Sequence, residues 1–142
     1  MEIALDGRPV WTTELEVRVG DINYGRHLGH DALVTLVHEA RARFFAAHGF
    51  SEWDVAGAST MVVELGVRYR AESFWSDRLR IGIHVGRVRS RGCELRYDIQ
   101  RADDGGRVAE ATTSLVFVDP ATGRLRTVPD ELAGVLLGRA ET

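Results

Sequence analysis

Apolar and polar side chains alternate near the start of the chain. From Glu14 to Gly20, the apolar Leu15, Val17 and Val19 point to one side, and charged residues occupy the positions between them. A period of two residues is typical of a β-strand with one buried face. The sequence therefore predicts a half-buried strand over this segment.

The next segment, GDINYGRHLGHD (20–31), breaks this period and is rich in glycine, which indicates a shaped loop. Between Asp31 and His48, apolar residues return every three or four positions, the spacing of one helix face. Gly49 follows where a helix typically ends. The pattern predicts one long helix that begins directly after the loop.

Four further alternating runs follow the helix: Met61–Arg70, Leu79–Arg89, Cys93–Arg101 and Val108–Val118. Turn-forming residues at Ser90–Gly92 and Asp103–Gly106 predict hairpins. A short last helix is predicted from Pro129 to about Gly138, because proline suits the first helical position.

This order indicates an antiparallel sheet with one long helix packed on it, which is an α+β fold. The chain has 142 residues and no break in composition, so we expect a single domain over residues 1–142. An open sheet leaves edge strands exposed. Pairing of two copies through an edge is therefore expected.

The composition limits which classes of partner and which cellular compartment are expected. A net charge of −3 argues against nucleic acid as the main partner, because proteins that bind nucleic acid usually carry a basic surplus. No apolar run approaches the roughly 18 residues of a membrane span, so no membrane association is expected. The first nine residues lack the apolar core of a signal peptide. With Cys93 as the only cysteine and no internal disulfide, we expect a cytoplasmic protein.

Several catalytic motifs are absent from the chain. It contains no GxSxG elbow, no GxGxxG after a strand, no HExxH and no phosphate-binding P-loop. All 18 basic residues are arginine, so chemistry that requires a lysine is excluded as well. These absences argue against serine hydrolases, dinucleotide-dependent dehydrogenases, zinc proteases and nucleotide-phosphate enzymes.

The glycine-rich loop carries the clearest chemical signal. Free N–H groups at the start of the following helix can polarise a carbonyl group or bind an anion. Asn23, His27 and His30 would add polar groups, and Gly29 would let a ligand approach the backbone. The same residues also suit purely structural roles as turn formers and helix caps. No third metal ligand is suitably spaced with the two histidines, so no metal and no cofactor are expected.

The loop, together with helix residues HEARARFF (38–45), resembles the hot-dog acyl thioesterase superfamily and above all its 4-hydroxybenzoyl-CoA thioesterase-like branch. The later block YRAESFWSDRLRI (69–81) resembles the same branch. The resemblance covers about residues 14 to 118. It implies a hot-dog fold, in which a curved antiparallel sheet wraps one long helix. It also implies hydrolysis of an acyl-CoA or acyl-carrier-protein thioester by a homodimer or homotetramer, with the active site at the dimer interface.

Within this resemblance, Asp21 matches the first aspartate of the branch's motif. Asn23 stands where much of the branch has its catalytic carboxylate, and it cannot act as a base or a nucleophile. A base must then come from elsewhere. His30 matches a histidine of bacterial short-chain acyl-CoA thioesterases, and Glu72 matches a catalytic glutamate of plant acyl-carrier-protein thioesterases. The candidate catalytic residues are therefore Asn23, His30, Glu72 and Glu39. Glu72 is the first candidate for the base. The helix residue Glu39 is the second and Asp21 the third.

The expected substrate-binding residues are Asp21, Tyr24, His27, Gly29, Arg89 and Arg91. His27 matches a histidine of the plant enzymes. Arg89 and Arg91 lie at a predicted hairpin that often contacts coenzyme A phosphates in hot-dog thioesterases, and guanidinium groups suit phosphate. A solvated sheet edge is the alternative role for these arginines.

Two other functions fit the same fold. A hot-dog hydratase would be expected to carry a D-x-N-P-x-H loop, which this chain lacks. A non-catalytic protein that binds acyl thioesters is the stronger alternative, because Asn23 replaces the carboxylate.

Overall fold

The computed structural model describes residues 2–138 and shows a six-stranded antiparallel sheet with two helices. The strands are β1 (Trp11–Glu16), β2 (Ser59–Tyr69), β3 (Arg78–Val88), β4 (Gly92–Arg101), β5 (Arg107–Val118) and β6 (Leu125–Arg126). The helices are α1 (His30–Ala47) and α2 (Asp130–Leu136), and a 3-10 turn spans Val19–Asp21. The predicted α+β class is confirmed. Within residues 2–138 neither helix is long and apolar enough to cross a membrane.

The sheet runs in the order β1-β3-β4-β5-β2, with the short β6 paired to β5. The predicted hairpins join β3 to β4 and β4 to β5. β1 pairs only with β3, and β2 pairs only with β5. Each of these two strands therefore leaves one backbone edge without a strand partner in the described part of the chain.

The core lies between α1 and the inner face of the sheet. The buried side of α1 presents Leu33, Leu36, Val37, Ala40, Phe44 and Phe45; the periodicity places Ala47 on this face instead of Phe45, but Ala47 is exposed. Alternate residues of the central strands complete the core, and Ile83, Leu95 and Phe117 have no solvent exposure. Burying each such side chain stabilises the fold by roughly 1.5–3 kcal/mol. The core thus fixes where α1 begins relative to the sheet.

A buried polar network crosses this apolar core. The nearly buried Arg41 donates from Nε to the Glu52 carboxylate and from Nη1 to the Tyr97 hydroxyl at 3.4 Å. The Tyr97 hydroxyl lies 2.8 Å from Thr113 Oγ1, and His38 Nε2 lies 2.7 Å from the other Glu52 oxygen. Burial raises the pKa of Tyr97, which therefore stays protonated. The network gives each of these polar groups a partner, as buried groups require. Sequence periodicity gave no indication of it.

Two strand predictions need correction. The first strand is Trp11–Glu16 instead of Glu14–Gly20, because the chain turns into the 3-10 segment at Val19. In β2, a bulge at Val63 interrupts the expected alternation, since Val62 pairs with Leu115 and Glu64 with Ser114.

β2 also differs from the prediction in burial. The alternating pattern predicts that Leu65 and Tyr69 face the core, but each keeps about half of its surface exposed. The backbone of α1 lies nearest to β1 and β3, at the opposite end of the strand order from β2, so the helix covers β2 less than it covers those strands.

Gly92 offers a test of the β4–β5 packing. A Cβ atom at Gly92 would fall against the Leu115 carbonyl oxygen, which is backbone and cannot move aside. We expect Gly92→Ala to lower the free energy of unfolding by about 1–3 kcal/mol, measured by urea denaturation. In the matched control Gly20→Ala, the added Cβ meets no atom within 4 Å, and stability should be nearly unchanged. Equal stability of both variants would contradict the packing described for Gly92.

Candidate active site

Asp21 braces the two ends of the glycine-rich loop. Its buried carboxylate accepts the Arg18 backbone N–H at 2.9 Å and forms an ion pair with the Arg18 guanidinium at 3.3 Å. Its backbone carbonyl accepts the Gly29 N–H at 2.9 Å. The contacts of Asp21 therefore shape the loop and place it directly before α1.

Asn23 shapes the tip of the loop with its side-chain oxygen. Asn23 Oδ1 accepts the N–H groups of Gly25 at 2.9 Å and His27 at 3.4 Å. Arg26 adopts a φ of 68°, in the left-handed region, to close the turn. An aspartate could accept the same bonds, but only the amide of Asn23 has an NH₂ group to donate. Within the described residues that group has no partner, so Asn23 is chemically a donor here.

A surface cavity of about 360 Å³ lies beside this loop. Asn23, His27, His30, Tyr69 and Glu72 line it, so the structure brings together four of the predicted site residues. His27 Nε2 lies 3.9 Å from Glu72 Oε1. The segment that carries Glu72 is held by the loop, because the Leu28 N–H donates to the Ser73 carbonyl at 2.7 Å.

The tautomer of His27 follows from its neighbours. His27 Nδ1 lies 3.2 Å from the Leu28 carbonyl oxygen, which can only accept, so Nδ1 carries the proton. In the neutral ring, Nε2 then presents a lone pair on the side of Glu72. When the ring is protonated, the same contact becomes an ion pair.

The start of α1 is open toward the cavity. Gly29 occupies the cap position, and no side chain caps the helix. A Cβ at Gly29 would lie 2.7 Å from Asp31 Oδ1, so glycine keeps this approach clear. The first backbone bond of the helix runs from the Leu33 N–H to the Gly29 carbonyl at 3.0 Å. The Gly29 N–H is already bonded to the Asp21 carbonyl, so the N–H groups of His30, Asp31 and Ala32 are the ones that can donate to a ligand at the positive end of the helix dipole.

Tyr69 is a site residue to which sequence reasoning gave no role. Its hydroxyl donates to the His30 carbonyl oxygen at 2.7 Å and so ties the end of β2 to the start of α1. Burial, together with the charge of Asp31, raises the pKa of Tyr69, so it remains a hydrogen-bond donor. The block YRAESFWSDRLRI begins with this residue, but only the fold shows its contact.

Several predicted site residues do not line this cavity; Asp21 and Gly29 lie in the loop behind it, and Glu39 and Tyr24 lie elsewhere on the surface. Glu39 is on the exposed side of α1, where its carboxylate pairs with Arg43 at 2.9 Å. It lines a different groove, together with Glu14 and Arg18. Tyr24 is fully exposed at the tip of the loop. In this chain neither residue faces Asn23.

Arg89 and Arg91 lie in a second surface cavity of about 330 Å³, next to the β3–β4 turn. Neither guanidinium has a hydrogen-bond or ion-pair partner in the described part of the chain. Val63 and Glu64 of β2 also line this cavity, whereas Tyr69, at the other end of β2, lines the first. The two cavities are thus separated by most of the strand, about 20 Å.

Among residues 2–138, no group of three His, Cys, Asp or Glu side chains is placed to hold a metal ion.

Comparisons with known proteins agree with this architecture. The family model of the thioesterase-like superfamily matches residues 17–136, and the chain belongs to that superfamily. No curated protein sequence matches the chain.

Solved structures share the fold. The 1,4-dihydroxy-2-naphthoyl-CoA thioesterase of Synechocystis superposes with a TM-score of 0.84 at 16% identity, over 92% of this chain and 98% of that one. A hypothetical protein from Staphylococcus aureus, solved in complex with CoA, gives 0.83 at 15% identity, over 97% and 87%. The DHNA-CoA thioesterase of Staphylococcus aureus gives 0.74 at 21% identity, over 82% and 78%. The predicted hot-dog fold is confirmed.

The cavity that contains Arg89 and Arg91, here called the arginine cavity, is also lined by Cys93, which is almost fully buried. Burial raises the pKa of its thiol to about 12, so at pH 8 almost none of it is the reactive thiolate. We expect a disulfide reagent such as Ellman's to leave Cys93 unmodified in the native protein at pH 8. In denaturant, the same sample should release one equivalent per chain. Rapid complete reaction under native conditions would contradict the burial.

Proposed function

We propose that the protein hydrolyses an acyl-CoA thioester to a free acid and coenzyme A. The observation that carries the proposal is the convergence of Asn23, His27 and Glu72 on one cavity at the open start of α1. The family membership and the fold support thioesterase chemistry in general. The related structures named for CoA thioesters, or solved with CoA, favour coenzyme A over a carrier protein. The expected cytoplasmic location stays a prediction.

In the proposed mechanism, the thioester carbonyl oxygen faces the first unpaired N–H groups of α1, those of His30 and Asp31, because the Gly29 N–H already donates to the Asp21 carbonyl. The NH₂ group of Asn23 is a second donor to that oxygen. Charge develops there as the carbonyl carbon becomes tetrahedral, and fixed donors stabilise it without rearranging. Each such donor typically lowers the barrier by about 2.7–4 kcal/mol. Asn23 therefore serves as a donor, not as the nucleophile or base.

Glu72 supplies the base. Its carboxylate takes a proton from a water molecule as the oxygen attacks the carbonyl carbon. Collapse of the tetrahedral intermediate breaks the C–S bond, and the protonated Glu72 returns the proton to the leaving thiolate. His27, 3.9 Å from Glu72, orients the carboxylate or the water. His30, on the same cavity, is the alternative base.

A non-catalytic acyl-thioester binder is the second candidate. It is favoured by the absence of a carboxylate at Asn23 and by the use of Asn23 Oδ1 within the loop. The two candidates differ in turnover. A binder would retain acyl-CoA without releasing thiol.

The site is proposed to be completed by a second copy of the chain, in a homodimer or a homotetramer. Exposed apolar side chains follow the free edge strand β2, including Met61, Val63 and Leu65. In one chain, the cavity that holds Arg89 and Arg91 lies about 20 Å along β2 from the cavity that Glu72 lines. Antiparallel pairing of two β2 strands would bring the arginine end of one copy to the Glu72 end of the other.

The mechanism is tested by thiol release from short-chain, long-chain and aromatic acyl-CoAs. We expect Glu72→Gln to lower kcat by about 100-fold or more with little change in KM, since only the base is lost. Asn23→Ala should lower kcat through the lost donor. The control is Glu39→Gln, a carboxylate outside the cavity, which should retain activity.

If Glu72→Gln retains turnover and His30→Ala loses it, His30 is the base instead of Glu72. An inactive wild-type oligomer that still binds acyl-CoA would favour the binder.

The arginines provide a separate test of substrate binding. We expect replacement of both Arg89 and Arg91 by Ala to raise KM for an acyl-CoA about 10-fold or more, because two unpaired guanidinium groups would no longer meet phosphate. The kcat value should change little. With an acyl-pantetheine that lacks the nucleotide, the variant and the wild type should have equal KM. An equal effect on both substrates would argue against phosphate contact.

A further inference from the structure

The Tyr69 hydroxyl makes a contact that the proposed mechanism does not use. Tyr69 is the last residue of β2, and its hydroxyl donates to the His30 carbonyl oxygen at 2.7 Å. In an α-helix, each carbonyl already accepts the N–H of the residue four positions later. The hydroxyl is therefore a second donor to this oxygen, which has two lone pairs. Since the helix bond already satisfies the carbonyl, the consequence of the second bond lies at the other end of the peptide group.

The other end of that peptide group is the Asp31 N–H. The carbonyl of His30 and the N–H of Asp31 belong to one planar, resonant unit, so a hydrogen bond to the oxygen makes the N–H a stronger donor. Among residues 2–138 the Asp31 N–H has no acceptor. It is one of the N–H groups that face the thioester carbonyl oxygen in the proposed mechanism. Tyr69 is therefore placed to act on a group that touches the substrate.

The position of the Tyr69 hydroxyl is fixed by the end of β2. The N–H groups of Arg70 and Ala71 both donate to the Val108 carbonyl, at 2.8 and 3.1 Å. Glu72 follows this anchored segment directly, so the hydroxyl and the proposed base lie on one short stretch of chain. Burial and a nearby carboxylate raise the pKa of Tyr69, so its hydroxyl keeps the proton that it donates.

We propose that Tyr69 is a positioning residue, whose hydroxyl aligns and polarises the His30–Asp31 peptide group so that the Asp31 N–H binds the thioester carbonyl oxygen more strongly. The inference rests on the proposed function, because it concerns the oxygen on which charge develops. Chains of hydrogen bonds strengthen each bond by roughly 10–30%. For a donor of the usual strength at such an oxygen, this range corresponds to about 2- to 8-fold in kcat.

The first test removes the hydroxyl alone. We expect Tyr69→Phe to lower kcat for acyl-CoA hydrolysis by about 2- to 8-fold. KM should change little, since the charge on the oxygen is fully developed only in the transition state. The matched control is Thr13→Val, because Thr13 Oγ1 accepts from Arg43 at 3.1 Å and also joins a strand to α1, away from the cavity. The control should keep the wild-type kcat. An equal loss in both variants would assign the effect to loosened packing and overturn the proposal.

A graded change of donor strength separates polarisation from a purely structural contact. Replacement of Tyr69 by 3-fluorotyrosine keeps the shape of the ring and makes the hydroxyl a stronger donor. At pH 6.5, where the hydroxyl is protonated, kcat should increase in the order Tyr69→Phe, wild type, fluorinated protein. A structural tie would give the fluorinated protein no advantage. A kcat at or below the wild-type value in the fluorinated protein would therefore overturn the proposal.

The amide resonance of Asp31 tests the same contact without substrate. The nitrogen of Asp31 belongs to the peptide group that the hydroxyl contacts. Tyr69→Phe should therefore move the Asp31 amide signal upfield in nuclear magnetic resonance spectra, and 3-fluorotyrosine should move it downfield. Thr13→Val should leave the signal in place. An Asp31 amide that responds to neither change at Tyr69 would contradict the proposed polarisation.

The two readouts distinguish the role of Tyr69 from the proposed function. If the wild type releases no thiol from any acyl-CoA but the Asp31 amide follows the donor strength at Tyr69, the role of Tyr69 is supported and only hydrolysis is overturned. If the wild type is active and Tyr69→Phe keeps its kcat, only the role of Tyr69 is overturned.

Discussion

The packing of α1 on the inner face of the sheet is the constraint on which the rest of the structure depends. It places the helix start at one end of the sheet, where the loop braced by Asp21 and the segment after β2 meet. The Leu28–Ser73 and Tyr69–His30 hydrogen bonds then hold these parts against the open end of the helix. The position of the candidate site therefore follows from where the core ends, because the loop and the segment after β2 meet there at the open start of α1.

The same packing leaves β2 with one unpaired edge and several exposed apolar side chains. The backbone of α1 lies nearest to β1 and β3, and the β2 residues Met61, Val62, Val63, Leu65 and Tyr69 keep about half of their surface in contact with solvent. An uncovered strand edge is costly for a monomer and useful for a dimer. The cavity at Asn23 and the cavity at Arg89 and Arg91 therefore lie at opposite ends of this exposed edge strand.

Much of the fold could be predicted from periodicity, since α1 and the three central strands bury one face each and leave a clear pattern. The edge elements were predicted less well. The pattern places the first strand at Glu14–Gly20, about three residues later than β1, and it does not indicate the bulge at Val63. The reason is that neither feature changes the average spacing of apolar residues. In the candidate site, the loop residues and Glu72 were named from the sequence and resemblance, while Glu39 was placed with them only by analogy. Its pairing with Arg43 shows why helix position alone does not bring a carboxylate to a cavity.

The sequence by itself determined the α+β class, the long helix, the hairpins and the residue types available for chemistry, because these depend on local spacing and composition. Only the tertiary structure decided that Asn23, His27, His30 and Glu72 share a cavity and that Arg89 and Arg91 lie at the far end of β2. It also decided that Arg41 and Tyr97 form a buried polar network, and that Asn23 is left with a donor to offer. Such facts depend on contacts between residues distant in the chain, which local patterns do not encode.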